Sequence, residues 1–148
     1  MRYKEQRYWE DVSVGEELPS VEYPLSIMRL VMMAGANRDF NSIHHNSEYA
    51  KMTGAPDMYA NNTFLQGMWE RAIREFIGLA GVIKRVKSFR MRSFNTVGDT
   101  VVTKGIVRKK WIEGNEALIE IETWCENSKG ISVGPGFVIA SLPRREAD

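Results

Sequence analysis

A long stripe of apolar residues in the middle of the chain limits its possible folds more than any other feature. The stripe recurs at intervals of three and four residues and consists of Phe64, Leu65, Met68, Trp69, Ala72, Ile73, Phe76 and Ile77. This spacing keeps returning to one face of an α-helix and predicts a long buried helix of about four turns. Asn61, Asn62 or Thr63 is expected to cap its start, and Gly78 its end. A stripe this wide requires a sheet to cover it.

The covering sheet is expected to come mostly from the second half of the chain. Residues 81–94, 100–111, 117–126 and 132–142 are rich in Val, Ile, Thr, Phe and Trp, a composition typical of strands. Turn signals at residues 97–99, 113–115 and 128–130 separate these segments. Together they predict an α+β arrangement in which a curved antiparallel sheet wraps one long central helix. That layout is the hot-dog fold.

The first half of the chain is expected to contribute one strand and two short helices. Residues 9–15 have turn character, and residues 17–25 alternate apolar and polar positions as a strand does. Ser26 is expected to cap a helix over residues 27–34, with Gly35 as its stop. Ser47 is expected to cap a second helix over residues 47–51 that ends near Gly54.

Length and composition predict one domain over residues 1–148, since 148 residues suffice for one complete core and are few for two. The 20 basic and 19 acidic residues give a net charge of +1, which argues against nucleic acid as a partner. The longest apolar stretch, residues 27–36, contains Arg29 and is about half as long as a membrane span, so no membrane association is expected. The polar, charged start of the sequence favours a cytoplasmic protein.

The predicted sheet also bears on the oligomeric state. A single sheet around one helix leaves the backbone groups of its outer strands unpaired, and edge-to-edge pairing of two sheets would satisfy them. An oligomer, a dimer in the simplest case, is therefore expected.

A polar loop before the second short helix, residues 38–46, carries both histidines of the chain together with Asp39. An imidazole and a carboxylate at close range are a common pair for general acid and base catalysis. A histidine in a loop is also often a surface or hydrogen-bonding group, and the spacing alone leaves both interpretations open. His45 is interpreted as a local hydrogen-bonding neighbour of His44. No Cys/His cluster accompanies the histidines, so no metal site is expected.

The residues of this loop carry a family resemblance. Asp39, Asn41, Ile43 and His44 are spaced as in the signature of MaoC-like and (R)-specific enoyl-CoA hydratases, which reads Asp-x-Asn-Pro-Ile-His. The next segment, 46–50, resembles the family's Asp-Pro-Glu-Tyr-Ala. Segments 9–19 and 97–101 are similar to its N-terminal stretch and to its Pro-Gly-Asp-Thr-Leu strand entry. The resemblance covers residues 8 to 141, and the loop is its most discriminating part.

The resemblance implies addition of water to the double bond of an enoyl-CoA thioester, or the reverse dehydration. Asp39 and His44 would be the catalytic pair that holds one water molecule, and Asn41 would position or hydrogen-bond the substrate. One member of the pair would activate water for attack at the β-carbon and the other would protonate the α-carbon. Coenzyme A would enter as part of the acyl-CoA substrate, and no further cofactor is expected.

The start of the long helix departs from the family pattern. The resemblance implies that a backbone amide there, usually from a glycine preceded by a histidine, stabilises the enolate oxygen. The corresponding positions hold Asn61 and Asn62, followed by Thr63, and we take all three as candidate substrate-binding residues. A main-chain donor tolerates a change of side chain, but a Cβ atom narrows the approach of the thioester.

A finer resemblance concerns segments 38–45 and 57–61, which are similar to the MaoC-like subunits of bacterial steroid side-chain hydratases. In those enzymes one chain carries the catalytic pair and a second supplies acyl-binding surface. The finer resemblance therefore implies a heteromer with another MaoC-like chain and a bulky acyl group. The unpaired sheet edges alone are equally consistent with a homodimer. Two alternatives remain open. One is a non-catalytic or acyl-binding subunit of such a heteromer, and the other is a hot-dog thioesterase, although thioesterases generally lack the loop with Asp39 and His44.

Overall fold

The computed structural model describes residues 5–145, so residues 1–4 and 146–148 of the predicted domain lie outside the described part. Its elements are β1 (Val21–Pro24), α1 (Ile27–Ala36), α2 (Ser47–Met52), α3 (Asn62–Ile77), β2 (Val82–Lys87), β3 (Thr100–Glu113), β4 (Glu116–Asn127) and β5 (Gly130–Leu142). Two 3₁₀ turns, Trp9–Asp11 and Ser42–His44, accompany them. The strands form one antiparallel sheet in the order β1-β3-β4-β5-β2.

Strands β3, β4 and β5 form the predicted meander at the centre of the sheet. In β3, Val101, Thr103, Gly105 and Val107 are buried, and the residues between them are only half-buried. The strand registers shift after Val107 in β3 and around Cys125 in β4. Such irregularities bend strands and increase their twist. The bends curl the sheet, and its concave face receives α3.

Helix α3 packs against β2, β3, β4 and β5. The apolar stripe identified in the sequence is buried at every position, and Leu65, Trp69 and Ile73 are at most 1% exposed. Asn61 caps the start of the helix, and Gly78 ends it with a φ of 77°, a value that favours glycine. The predicted hot-dog fold, a curved antiparallel sheet around one long helix, is confirmed.

The two outer strands are shorter than predicted. The strand expected over residues 17–25 is regular only at Val21–Pro24, because Pro19 has no backbone N–H for the ladder and Glu17 makes an isolated bridge to Ile106. The strand expected over residues 81–94 ends at Lys87. Ser88 follows with a φ of 56°, which interrupts the regular ladder, and pairing with β5 resumes only as an isolated bridge between Met91 and Val133.

The ends of the short helices also differ from the predictions. Gly35 lies inside α1, which continues to Ala36 with Asn37 as its C-cap. Asn46 caps α2 instead of Ser47, since its side chain accepts a hydrogen bond from the Tyr49 amide at 2.9 Å. Asparagine and serine are both favoured at helix starts, so the cap moved by one residue between two suitable types.

No helix in the described part of the chain combines the length and the apolar character needed to cross a membrane. Strands β1 and β2 are the outer strands of the sheet, and each pairs with one neighbour among residues 5–145. The open sides of these strands are the edges that the sequence predicts an oligomer would cover.

Truncation of the buried face of α3 should strongly destabilise the protein. We expect Ile73→Ala to lower the free energy of unfolding by about 2–5 kcal/mol, because Ile73 is fully buried and the surrounding sheet cannot collapse into the cavity. Met52→Ala is the matched surface control, since Met52 is 82% exposed, and it should stay within about 0.5 kcal/mol of wild type. Urea unfolding of both variants measures the difference, and equal losses would contradict the assigned core.

Candidate active site

The loop after α1 brings Asp39 and His44 together. Arg38 turns the chain with a φ of 55°, a conformation that costs a residue with a Cβ about 1–2 kcal/mol. The Asp39 amide then donates to the Ala34 carbonyl at 2.9 Å, which ties the start of the loop to the end of α1. Asn41 begins the 3₁₀ turn by accepting a hydrogen bond from the Ile43 amide at 3.2 Å, and His44 ends that turn. Asn41 itself is exposed.

The side chains of Asp39 and His44 are in direct contact. Asp39 Oδ2 and His44 Nε2 are 3.1 Å apart, and the two side chains are 38% and 8% exposed, respectively. The second ring nitrogen, Nδ1, lies 2.7 Å from the Tyr59 carbonyl oxygen. The imidazole is therefore held at both nitrogens, while the carboxylate faces an open side.

The hydrogen bonds around His44 constrain its protons. A carbonyl oxygen only accepts, so Nδ1 carries a hydrogen that it donates to Tyr59. The contact between Nε2 and Asp39 Oδ2 then needs one further proton, which either the imidazole or the carboxyl group contributes. Asp39 and His44 thus share a single proton at this contact.

Tyr59 contacts His44 through its side chain as well as through its carbonyl oxygen. The two rings meet edge to face with centroids 5.2 Å apart, and Tyr59 makes a similar contact with Phe94 at 4.9 Å. Burial, and after it the negative charge of Asp39, raise the pKa of the Tyr59 phenol. Phe94 also lines an open groove of about 410 Å³ together with Pro56, Met91, Arg92, Ser93 and Lys129.

The start of α3 adjoins the segment that holds His44. Asn61 follows Tyr59 by two residues, is 3% exposed, and accepts a hydrogen bond from the Phe64 amide at 2.8 Å. The Leu65 amide donates to the Asn61 carbonyl at 3.2 Å. Asn62 and Thr63 are exposed, and their amides have no acceptor among residues 5–145. Two backbone donors at the positive end of the helix dipole are therefore open to a ligand.

The other candidates from the sequence lie around this centre. His45 is exposed, and its Nε2 lies 3.3 Å from the Phe40 carbonyl, a local contact of the kind predicted for it. Within residues 5–145, no three His, Cys, Asp or Glu side chains converge as a metal-binding group.

Tyr59 and Asn37 belong to the site but were not among the candidate residues predicted from the sequence. Tyr59 holds His44 through a main-chain carbonyl, and any residue type has one. Asn37 donates a hydrogen bond from Nδ2 to Asn61 Oδ1 at 3.1 Å, across 24 positions of sequence. Its place at the end of α1 is the only local sign of a special role.

Exposed apolar side chains lead up to the loop. Helix α1 presents Ile27, Met28, Val31 and Met32, which are between 44% and 71% exposed, and Phe40, beside Asp39, is 72% exposed. Single exposed apolar residues are normal, but several on one helix face are typical of a surface that contacts an apolar ligand or another protein.

Comparisons with known proteins agree with the fold and with the predicted family resemblance. The chain is 27% identical over 117 residues to the 3-oxo-4,17-pregnadiene-20-carboxyl-CoA hydratase beta subunit of Mycobacterium tuberculosis, covering 79% of this chain and 87% of that protein. No family model matches the chain.

Solved structures give the same result. A chain of the ChsH1-ChsH2 complex from Mycobacterium tuberculosis matches with a TM-score of 0.78 and 25% identity, over 89% of this chain and 98% of that one. R-hydratase PhaJ1 from Pseudomonas aeruginosa matches with a TM-score of 0.81 and 18% identity, over 93% and 86% of the two chains. The molecule is a hot-dog protein similar to the (R)-hydratases and MaoC-like dehydratases, and the resemblance predicted from the sequence is confirmed.

The cap at Asn61 should contribute measurably to stability. We expect Asn61→Ala to lower the free energy of unfolding by about 1–2 kcal/mol, because the Phe64 amide loses its acceptor. Asn61→Asp is the matched control, since a carboxylate accepts the same bond and is favoured at a helix start, and it should remain near wild type. Thermal or urea unfolding compares the two, and an Asn61→Asp variant as unstable as Asn61→Ala would contradict the capping role.

Proposed function

We propose that the chain is an enoyl-CoA hydratase/dehydratase that adds water to an α,β-unsaturated acyl-CoA thioester, with Asp39 and His44 as the reacting pair. The observation that carries the proposal is the 3.1 Å contact between Asp39 and a buried His44 whose other nitrogen is already held by Tyr59. Such an arrangement leaves Nε2 and the carboxylate as the proton-exchanging atoms. The reaction needs no metal or redox cofactor, and we expect it to take place in the cytoplasm.

The shared proton suits both halves of the reaction. One member of the pair accepts a proton from water as the water oxygen bonds to the β-carbon. The other donates a proton to the α-carbon, where the electrons of the broken double bond arrive by way of the enolate. A proton transfer across the contact between Asp39 and His44 then restores the starting state, so the pair is unchanged after each turnover. Dehydration follows the same steps in reverse.

The start of α3 is the proposed site for the thioester oxygen. That oxygen gains negative charge in the enolate, and donors fixed in advance stabilise it without rearrangement. The open amides of Asn62 and Thr63 are suitable donors, and the helix dipole adds to their effect. The side chain of Asn61 is occupied by its cap, so we assign it a supporting role, and we retain exposed Asn41 as a candidate contact at the rim.

The relatives and the exposed apolar face of α1 support a bulky acyl group and a second chain. The similar Mycobacterium protein is a beta subunit named for a pregnadiene carboxyl-CoA substrate, and the similar structure is a complex of two named chains. We propose by analogy that this chain acts in a heteromer with another MaoC-like chain. The apolar side chains from Ile27 to Met32 and Phe40 would face either the acyl group or that partner.

Substitution of the reacting pair should abolish hydration. We expect Asp39→Asn and His44→Ala each to lower the rate at least about a hundredfold, the usual scale for a lost acid or base group. The measurement is the loss of absorbance of crotonyl-CoA and of a bulkier enoyl-CoA at the conjugated band. His45→Ala is the matched control, because it removes the neighbouring exposed histidine, and it should retain activity.

The same assay separates the alternatives. Release of free thiol at a rate that exceeds hydration would identify a thioesterase. Retained hydration in both Asp39→Asn and His44→Ala would rule out the assigned pair.

A non-catalytic subunit is the second candidate, and the asparagines at the start of α3 favour it because they depart from the family's pattern. Purification of the chain from its native cells should yield a second MaoC-like chain, and hydration of a bulky enoyl-CoA should require both. If the complex is active and Asp39→Asn in this chain has no effect, this chain is the non-catalytic subunit. An active assembly of this chain alone would instead establish a homomeric enzyme.

A further inference from the structure

A hydrogen bond between two asparagines joins the helices on either side of the candidate site. Asn37 Nδ2 donates to Asn61 Oδ1 at 3.1 Å, and we call this bond the asparagine bridge. Asn37 is the C-cap of α1, and Asn61 is the N-cap of α3. The same oxygen of Asn61 also accepts from the Phe64 amide at 2.8 Å, so the bridge is anchored on the buried helix.

The bridge closes a ring of contacts that contains the reacting pair. Asn37 precedes Asp39 by two residues, and the Asp39 amide is held by the Ala34 carbonyl at 2.9 Å. On the other side, Asn61 follows Tyr59 by two residues, and the Tyr59 carbonyl holds His44 Nδ1 at 2.7 Å. The contact between Asp39 and His44 at 3.1 Å completes the ring. Because the contacts form a closed ring, we expect loss of the asparagine bridge to loosen the contact between Asp39 and His44 on the opposite side.

The Asn61 side-chain amide is oriented so that its oxygen, and not its nitrogen, makes the hydrogen bonds. Asn61 is 3% exposed, and its Nδ2 has no hydrogen-bond partner in the described part of the chain. An unpaired buried donor is destabilising, and most buried polar atoms have partners. The amide is thus oriented to place Oδ1 between two donors, Asn37 and the Phe64 amide, at the expense of its own nitrogen. Because Oδ1 only accepts, Asn37 must act as the donor.

We propose that Asn37 is a positioning residue, which sets the separation of Asp39 and His44 through the asparagine bridge. The inference rests on the proposed hydratase function. Asn37 itself does not touch the reacting atoms. Small errors in the placement of catalytic groups are costly, so the bridge acts on the rate of the chemical step and not on the affinity for the thioester.

The test uses Asn37→Leu, which keeps the approximate size of the side chain and removes the donor. Asn37→Asp is the second variant, because it has the same shape but presents an acceptor to Asn61 Oδ1. Asn115→Asp makes the same chemical change in the exposed turn between β3 and β4 and serves as the control. We expect kcat for enoyl-CoA hydration to fall about tenfold to a hundredfold in both Asn37 variants, with KM changed less than twofold.

A second measurement reports the position of His44 directly. Nitrogen NMR of the imidazoles is simple to assign because the chain has two histidines, and His45→Ala identifies the signal of His44. We expect the Nε2 signal of His44 to change in folded Asn37→Leu as its contact with Asp39 loosens, and to remain unchanged in Asn115→Asp. A residue that only supports the fold would lower the unfolding temperature without this change.

The two measurements distinguish the possible failures. If the wild type hydrates no thioester, alone or with a partner chain, while Nε2 still changes in Asn37→Leu, the proposed function fails and the bridge still positions the pair. If the wild type is active and neither kcat nor the Nε2 signal changes in the folded Asn37 variants, the positioning role is wrong. Should Asn37→Leu fail to fold, the Asn37→Asp variant decides by the same criteria.

Discussion

The candidate site depends on one main-chain contact, the hydrogen bond from His44 Nδ1 to the Tyr59 carbonyl at 2.7 Å. This bond fixes the orientation of the buried ring. It requires the hydrogen to be on Nδ1, and it directs Nε2 toward Asp39. Tyr59 is itself held in place, since its amide lies 3.3 Å from the Ile43 carbonyl and it bridges to Thr96. A histidine in a loop thereby becomes as fixed as one on a regular element, which proton transfer between precisely placed atoms requires.

The large features of the fold could be predicted from the sequence because they rest on periodic burial. The apolar stripe predicted α3, and the composition of the second half of the chain predicted β3 to β5. Both predictions were confirmed. The wrong predictions concern the ends of strands and helices, which residue composition alone does not determine. β1 and β2 were predicted too long, because Pro19 and the turn at Ser88 interrupt pairing that residue composition alone would allow. Asn46 caps α2 in place of Ser47, and both residue types suit that position.

The candidate site also contains some residues that the sequence predicts and others that it does not. Asp39 and His44 could be singled out because their loop resembles the signature of the MaoC-like hydratases, and the structure brings them into contact. The groups that hold them could not. A backbone carbonyl has no signature in sequence, and the partner of Asn37 is 24 residues away. Asn61, Asn62 and Thr63 were expected both as substrate-binding candidates and as possible caps of α3; the cap is Asn61, and the open amides belong to Asn62 and Thr63. That division of labour explains how the positions can lack histidine and glycine and still present backbone donors.

The pairing of strands distant in sequence bears on how the protein reaches its folded state. β1 pairs with β3, some eighty residues further along the chain, and the Ala60 amide just before α3 donates to the Asn95 carbonyl. Chains dominated by such non-local pairings fold slowly, because the intervening loops must close before the contacts form. The loop with Asp39 and His44 is connected to these later residues through Tyr59, which bridges to Thr96, and through α3, which packs on β2 to β5. We therefore expect the candidate pair to reach its final geometry late in folding, after the carboxyl-terminal strands have paired.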